Sequence, residues 1–183
     1  MRRSLAAAAA LIALAALSTT AFGADSSAAQ AQSAKRAALA YYGAEIVRFR
    51  RETWHWERVM GVPLTPRSNR SLAALTPAAI AQTAELWRHR STRVHRVAEH
   101  PPHLSQFLCI HRFEGSWTDT TDPYWGGLQM DRSFQASYGG WLYRTKGTAN
   151  HWSPLEQIWT AEKALKSRGF WPWPNTARDC GLL

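Results

Sequence analysis

The sequence predicts an α+β protein dominated by helix: a basic antiparallel helical hairpin, then a tryptophan-rich domain containing one small β-hairpin. Three observations carry this expectation. Two long segments space their apolar residues by alternating threes and fours, the period of a helix face, and a turn-forming stretch separates them. The C-terminal part runs in the order helix, short glycine-containing hairpin, helices, which is an α+β order. Finally, 183 residues with 45% hydrophobic and 11% aromatic content suffice for one core plus an appendage and exclude wholesale disorder. The 11 Gly and 9 Pro follow no fixed period, which excludes collagen-like and repeat architectures.

Residues 1–23 have the layout of an export signal: Arg2 and Arg3, an apolar run of 13 residues from Leu5 to Leu17, then Ala21 and Gly23 as small residues before a cleavage point after Gly23. A membrane anchor would need about 20 apolar residues. Arg2 and Arg3 stand without the rest of a twin-arginine motif. Cleavage leaves residues 24–183 with a net charge of +7. In an oxidising compartment the chain's 2 cysteines can pair in one way, Cys109 to Cys180. Closing that loop would stabilise the fold by about 4 kcal/mol through chain entropy.

From about Ala28 to Met60, a stripe of Leu39, Tyr42, Ile46, Phe49, Thr53, Trp56 and Met60 predicts the first helix, with Thr53 as a polar lapse. Gly61, Pro63, Pro66, Ser68, Asn69 and Ser71 then give a turn composition. Asn69, Arg70 and Ser71 also form a formal glycosylation sequon. Thr76 as N-cap and Pro77 as first residue open the second helix, whose stripe is Ile80, Ala84, Trp87, Ser91, Val94 and Ala98; Pro101 and Pro102 end it. Residues 24–100 carry 12 Lys and Arg against 6 acids, whereas residues 101–183 carry 8 against 7. Such a charge run is ordinarily a solvated face. Its functional reading is attraction to anionic wall polymers or phospholipid.

In residues 101–183, a helix from about Leu104 to Glu114 is expected to bury Leu104, Phe107, Leu108 and Phe113, with Gly115 as its C-terminal cap. Tyr124 to Met130 reads as the hairpin. Ser133 to Tyr138 reads as one or two helical turns, with Asp131 as N-cap and Gly139 and Gly140 as the stop. Ser153, Pro154 and Glu156 form a capping box for a helix running to about Ser167. Seven of the ten tryptophans lie in this part. Trp159 and Trp173 are expected in the core.

Glu114 is the candidate catalytic residue. At the C-terminal end of a helix, among Phe113, Trp117 and Trp125, its protonated form is favoured both by the helix dipole and by apolar surroundings, which suits a general acid. The run from Cys109 to Trp117, with Glu114, Gly115, Ser116 and Trp117 at its end, is followed by Tyr124, Trp125, Gly126, Gly127, Leu128, Gln129 and Met130. Together with Glu156, Gln157, Ile158, Ala161, Glu162, Gly169, Phe170, Trp173, Pro174 and Cys180, it resembles the transglycosylase-like domain of bacterial resuscitation-promoting factors. The resemblance covers nearly all of 103–183 and none of the hairpin.

It implies a lysozyme-like fold that cleaves peptidoglycan between N-acetylmuramic acid and N-acetylglucosamine, with Glu114 as the catalytic acid. Gln129 falls on the glutamine of the hairpin lining the cleft, and Ser133 falls where the family usually has a substrate-contacting threonine. Tyr124, Trp117 and Trp125 complete the expected substrate contacts. Two features depart from the family. Its cysteine normally immediately precedes the glutamate, whereas Cys109 stands five positions earlier, about 140° around the helix. The segment between Glu114 and the hairpin is also shorter.

Asp119, Asp122 and Asp131 lie near in sequence, but none stands where a second catalytic acid would be expected, so a one-glutamate mechanism is anticipated. The 7 His include no HExxH or similar spacing, so no metal is expected; no cofactor motif is present. The partners expected are peptidoglycan glycan strands, with no nucleic acid, and the protein is expected to be monomeric. The competing reading is a wall-binding or adhesion module that does not cut.

Overall fold

The computed structural model describes residues 23–183. The expected export signal lies outside the described residues except for Gly23, the first residue of α1 (Gly23–Met60). Helix α2 (Pro77–Ala98) packs along α1. Ile46 meets Ile80, Ala84 and Trp87 in one buried cluster, flanked by Leu39, Tyr42 and Phe49, so both expected stripes face inward. Thr53 is fully buried, and its hydroxyl donates to the Phe49 carbonyl at 2.8 Å, which satisfies the polar lapse within the helix. Thr76 caps α2 as expected, accepting from the Ala79 amide at 3.2 Å. Among the described residues no helix is long and apolar enough to cross a membrane.

The second core is built from α3 (Leu104–Glu114), strands β1 (Tyr124–Trp125) and β2 (Met130–Asp131), α4 (Arg132–Tyr138), α5 (Gly140–Lys146), α6 (Pro154–Arg168) and α7 (Pro174–Asp179). The strands are antiparallel, with Tyr124 opposite Asp131 and Trp125 opposite Met130. The molecule is thus mainly helical with one small antiparallel sheet. Phe107, Ile110, Leu128, Met130, Leu142 and Ile158 fill its centre, and Val59 of α1 is buried in the same cluster. Cys109 and Cys180 form the expected disulfide, with their Cα atoms 6.1 Å apart.

Several expectations need correction. Helix α1 already includes Gly23, the first described residue, five positions before Ala28. In α3, Leu108 and Phe113 are 44% and 53% exposed, and Ile110 takes the inward position instead. Steps of three and four from Leu104 through Phe107 and Ile110 to Glu114 define the buried face, and Leu108 and Phe113 fall off it. Helix α4 stops at its C-cap Gly139 as expected, but Gly140 directly opens α5, a helix without a counterpart in the sequence reading. Gly139 is the junction because a side chain there would collide with the Trp152 ring, 2.5 Å away. Helix α7 has no counterpart in the sequence reading; six residues are too few to show a stripe.

The helical hairpin is joined to the second core through buried polar groups. Glu156, 1% exposed, accepts from His55 Nε2 of α1 at 2.9 Å, from Lys146 Nζ of α5 at 2.6 Å and from the Ser153 amide at 2.7 Å. The Trp159 indole donates to the Ala98 carbonyl at 2.8 Å, and Glu162 accepts from the His103 amide at 2.6 Å. Burial pushes the Glu156 carboxyl up, but the hydrogen bonds from His55, Lys146 and Ser153 outweigh it and hold the group at about 2.

Because the reference value is 4.5, this contribution to stability is fully present above that pH and is lost as pH falls from 4.5 towards 2. Glu156→Gln, which leaves Lys146 with a neutral partner, is expected to cost about 3 kcal/mol at neutral pH and to flatten the acid limb between those values. Denaturant unfolding measured across that range checks it; an unchanged acid limb would refute the assignment.

Candidate active site

Helix α3 delivers Glu114 to its site. The helix ends there because Gly115 adopts a φ of +135°, and the Gly115 amide donates to the His111 carbonyl at 3.3 Å. Glu114 continues the buried face of Phe107 and Ile110, so its carboxylate emerges towards α7. There Thr176 Oγ1 donates to Glu114 Oε1 at 2.8 Å. The disulfide ties the same two segments together, since Cys180 directly follows α7.

The aromatic enclosure expected around Glu114 is not built as the sequence suggested. Phe113 faces solvent. Trp117 is half-buried and stacks on His111, with centroids 3.8 Å apart. Trp125 is only 6% exposed and belongs to the core, with the Arg132 guanidinium 4.9 Å from its ring centroid, so its ring is not presented for stacking on a sugar.

Residues 115–123 fold back on themselves and bring Asp119 beside the end of α3. A methyl group on Gly115 would lie 3.3 Å from Asp119 Oδ2 and 3.7 Å from Gln129 Nε2. Asp119 accepts from the Thr121 hydroxyl at 2.7 Å, from the Thr121 amide at 2.9 Å and from Gln129 Nε2 at 2.9 Å. The Thr121 bonds, with the weaker help of Gln129, hold its carboxyl below the usual carboxylate range. Both Asp119 oxygens are thus committed to fixing the loop and Gln129.

Gln129 sits at the hairpin turn with a φ of +45°. Its second amide proton goes to the Gly126 carbonyl at 3.0 Å. Its Oε1 accepts no hydrogen bond among the described residues and is the group left to receive an N–H from outside. Tyr124, 48% exposed, lines a cavity of about 120 Å³ with Gln129, Asp131, Arg168 and Trp173; Glu114 does not line it. Asp131 caps α4 as expected, accepting from the Phe134 amide at 2.7 Å, and the Ser133 hydroxyl donates to the same oxygen at 2.7 Å. The Phe134 amide and the Ser133 hydroxyl lower the Asp131 carboxyl.

The fold thus gathers Glu114, Asp119 and Gln129 about Gly115. Tyr124 lies in β1 and Ser133 in the first turn of α4 just after β2, Trp117 is fixed on His111, and Trp125 is in the core. Among the described residues no group of three His, Cys, Asp or Glu side chains could hold a metal ion.

The sequence reading missed Thr176, which reaches Glu114 across 62 positions without any local signal. It also missed the roles of His111 and Gln157. The buried Gln157 accepts from the Gly127 amide at 2.9 Å and donates to the carbonyls of Trp117 at 2.8 Å and Ala149 at 2.9 Å. His111 Nδ1 lies 3.0 Å from the Gly127 carbonyl. Compared with known proteins, the chain matches no family model, no curated protein and no solved structure.

Gln157→Leu keeps the volume but strands the Gly127 amide and the Trp117 carbonyl. It is expected to cost about 3 kcal/mol and to reduce the near-ultraviolet circular dichroism of the tryptophans. Denaturant unfolding provides the check. A loss under about 1 kcal/mol would mean that the hairpin is held by other contacts.

Proposed function

We propose that the chain is an exported cell-wall glycosidase or lytic transglycosylase and that residues 101–183 form a lysozyme-like domain acting on peptidoglycan. The observation that carries this reading is Glu114 at the end of α3, with one oxygen held by Thr176 and Gln129 fixed by Asp119 on the other side of Gly115. A positioned acid for proton transfer and a fixed amide to orient the chain together support cleavage of an acetamido-sugar polymer.

Glu114 transfers its proton to the glycosidic oxygen as the bond to the anomeric carbon of N-acetylmuramic acid breaks. The electron pair leaves with the oxygen, which becomes the 4-hydroxyl of N-acetylglucosamine. The Glu114 carboxylate then takes the proton from the muramyl 6-hydroxyl as that oxygen bonds to the anomeric carbon. This regenerates the acid and gives a 1,6-anhydro end. If water takes the place of the 6-hydroxyl, the product is a reducing end. Gln129 Oε1 accepts the N–H of an acetamido group, while Tyr124 and Ser133 contact the glycan along the hairpin.

The competing reading keeps glycan binding without cleavage. Digestion of purified peptidoglycan by the protein and by Glu114→Gln, with fragments identified by mass spectrometry, separates the two. Release of muropeptides is expected to fall at least about hundredfold in the variant, while retention on walls is unchanged. No release by the parent protein at any pH, or equal release by both, would reject Glu114 as the catalytic acid.

A further inference from the structure

Three of the twelve basic residues in 24–100 line a single cavity. Arg50 of α1, with Arg67 and Arg70 of the connection to α2, lines a cavity of about 320 Å³ that no acid lines. Trp87, 4% exposed, and Ile46, 1% exposed, form its floor. Among the described residues, none of the ion pairs involves any of these three arginines, whereas Arg48 and Arg88 are each paired with a glutamate. Three arginines that line one cavity without a counter-charge make it electropositive and favour an anion there, although the Arg50 guanidinium also lies 5.2 Å from the Trp54 ring centroid.

The arginine segment is held in place from both ends. Thr65 is clamped to α1: Glu57 accepts from its amide at 2.8 Å and from its hydroxyl, and the Trp54 indole donates to its carbonyl at 2.8 Å. Ser68 Oγ accepts from the Arg70 amide at 3.2 Å, and Ser71 Oγ from the Ala73 amide at 3.3 Å. Each hydroxyl therefore keeps its proton to donate into the cavity they line.

We propose that this cavity binds the phosphate group of a phosphate ester. One guanidinium satisfies a carboxylate with a single two-pronged contact, whereas three guanidiniums and two hydroxyls match the larger acceptor set of a phosphate. The cavity adjoins a second one of about 360 Å³ that shares Ser68, Arg70 and Leu72 and continues over Leu75 and Leu86, which gives the organic part of the ester an apolar trough. A polyol-phosphate wall polymer and an anionic phospholipid headgroup both present this chemistry. The site is separate from Glu114 and does not depend on the glycosidase reading.

The test titrates the purified protein with glycerol phosphate and with a glycerol phosphate oligomer, and sediments it with phosphatidylglycerol or phosphatidylcholine vesicles at physiological ionic strength. Binding of glycerol phosphate and the oligomer alone supports the site with a wall polymer as source; additional sedimentation with phosphatidylglycerol only supports it with a lipid source. In either case, Arg67→Gln with Arg70→Gln, both exposed positions, weakens binding by about tenfold or more. Arg36→Gln with Arg93→Gln removes the same charge elsewhere on the hairpin and changes binding by less than about twofold. Failure of every phosphate ester to bind, an equal loss in the Arg36 and Arg93 pair, or equal competition by glucuronate would overturn the proposal.

Discussion

Two adjacent buried polar side chains at the start of α6 govern the rest of the architecture. Glu156 and Gln157 are 1% and 0% exposed, and each must satisfy its polar atoms inside the protein. Being neighbours on a helix, they point about 100° apart. Glu156 reaches α1 and α5 through His55 and Lys146, while Gln157 reaches the β-hairpin and the loop before it through Gly127 and Trp117. A mismatch at either place would leave a buried charge or amide without a partner, at a cost larger than most single apolar contacts contribute. Apolar packing alone would tolerate small shifts of these segments; the hydrogen-bonding geometry does not.

The candidate site inherits this constraint from two directions. Gln157 and His111 fix Gly127, and the turn beyond it carries Gln129 onto Asp119. Glu114 is fixed independently, by Thr176 and by the disulfide that follows α7. The two halves meet at Gly115, where close approach and a positive φ both require glycine. The position of Cys109 is intelligible here. On a different face of α3 from Glu114, its sulfur anchors the helix to the tail without occupying the side that carries the carboxylate.

The sequence made legible whatever repeats locally. The stripes of α1 and α2, the caps at Thr76, Asp131 and Ser153 and the hairpin all follow from spacing or from residues close in the chain, and the disulfide, 71 positions long, follows from there being only two cysteines to pair. Helix α5 was hidden because a Gly-Gly pair ordinarily signals a stop, and here the tight contact of Gly139 with Trp152 makes it a junction instead. Phe113 and Trp125 mislead for the same reason: aromatic identity does not say whether a ring faces solvent, core or substrate. Thr176, His111 and Gln157 act over long separations, and no local periodicity encodes such contacts.

The division of charge between the two parts acquires a structural meaning from the junction. Val59 lies in the second core, and His55, one turn before it, is bonded to Glu156, so the hairpin is packed into the domain rather than tethered to it. The arginine cavity uses Arg50, further back along the same helix. A ligand held there is therefore connected to the candidate site through a continuous helix and a buried ion cluster, not through a flexible linker. Under that constraint a ligand in the arginine cavity would do more than raise the local concentration of the domain, because it would also limit the orientations of α3 and the β-hairpin towards whatever the candidate site binds. A long linker would supply the first effect and lose the second.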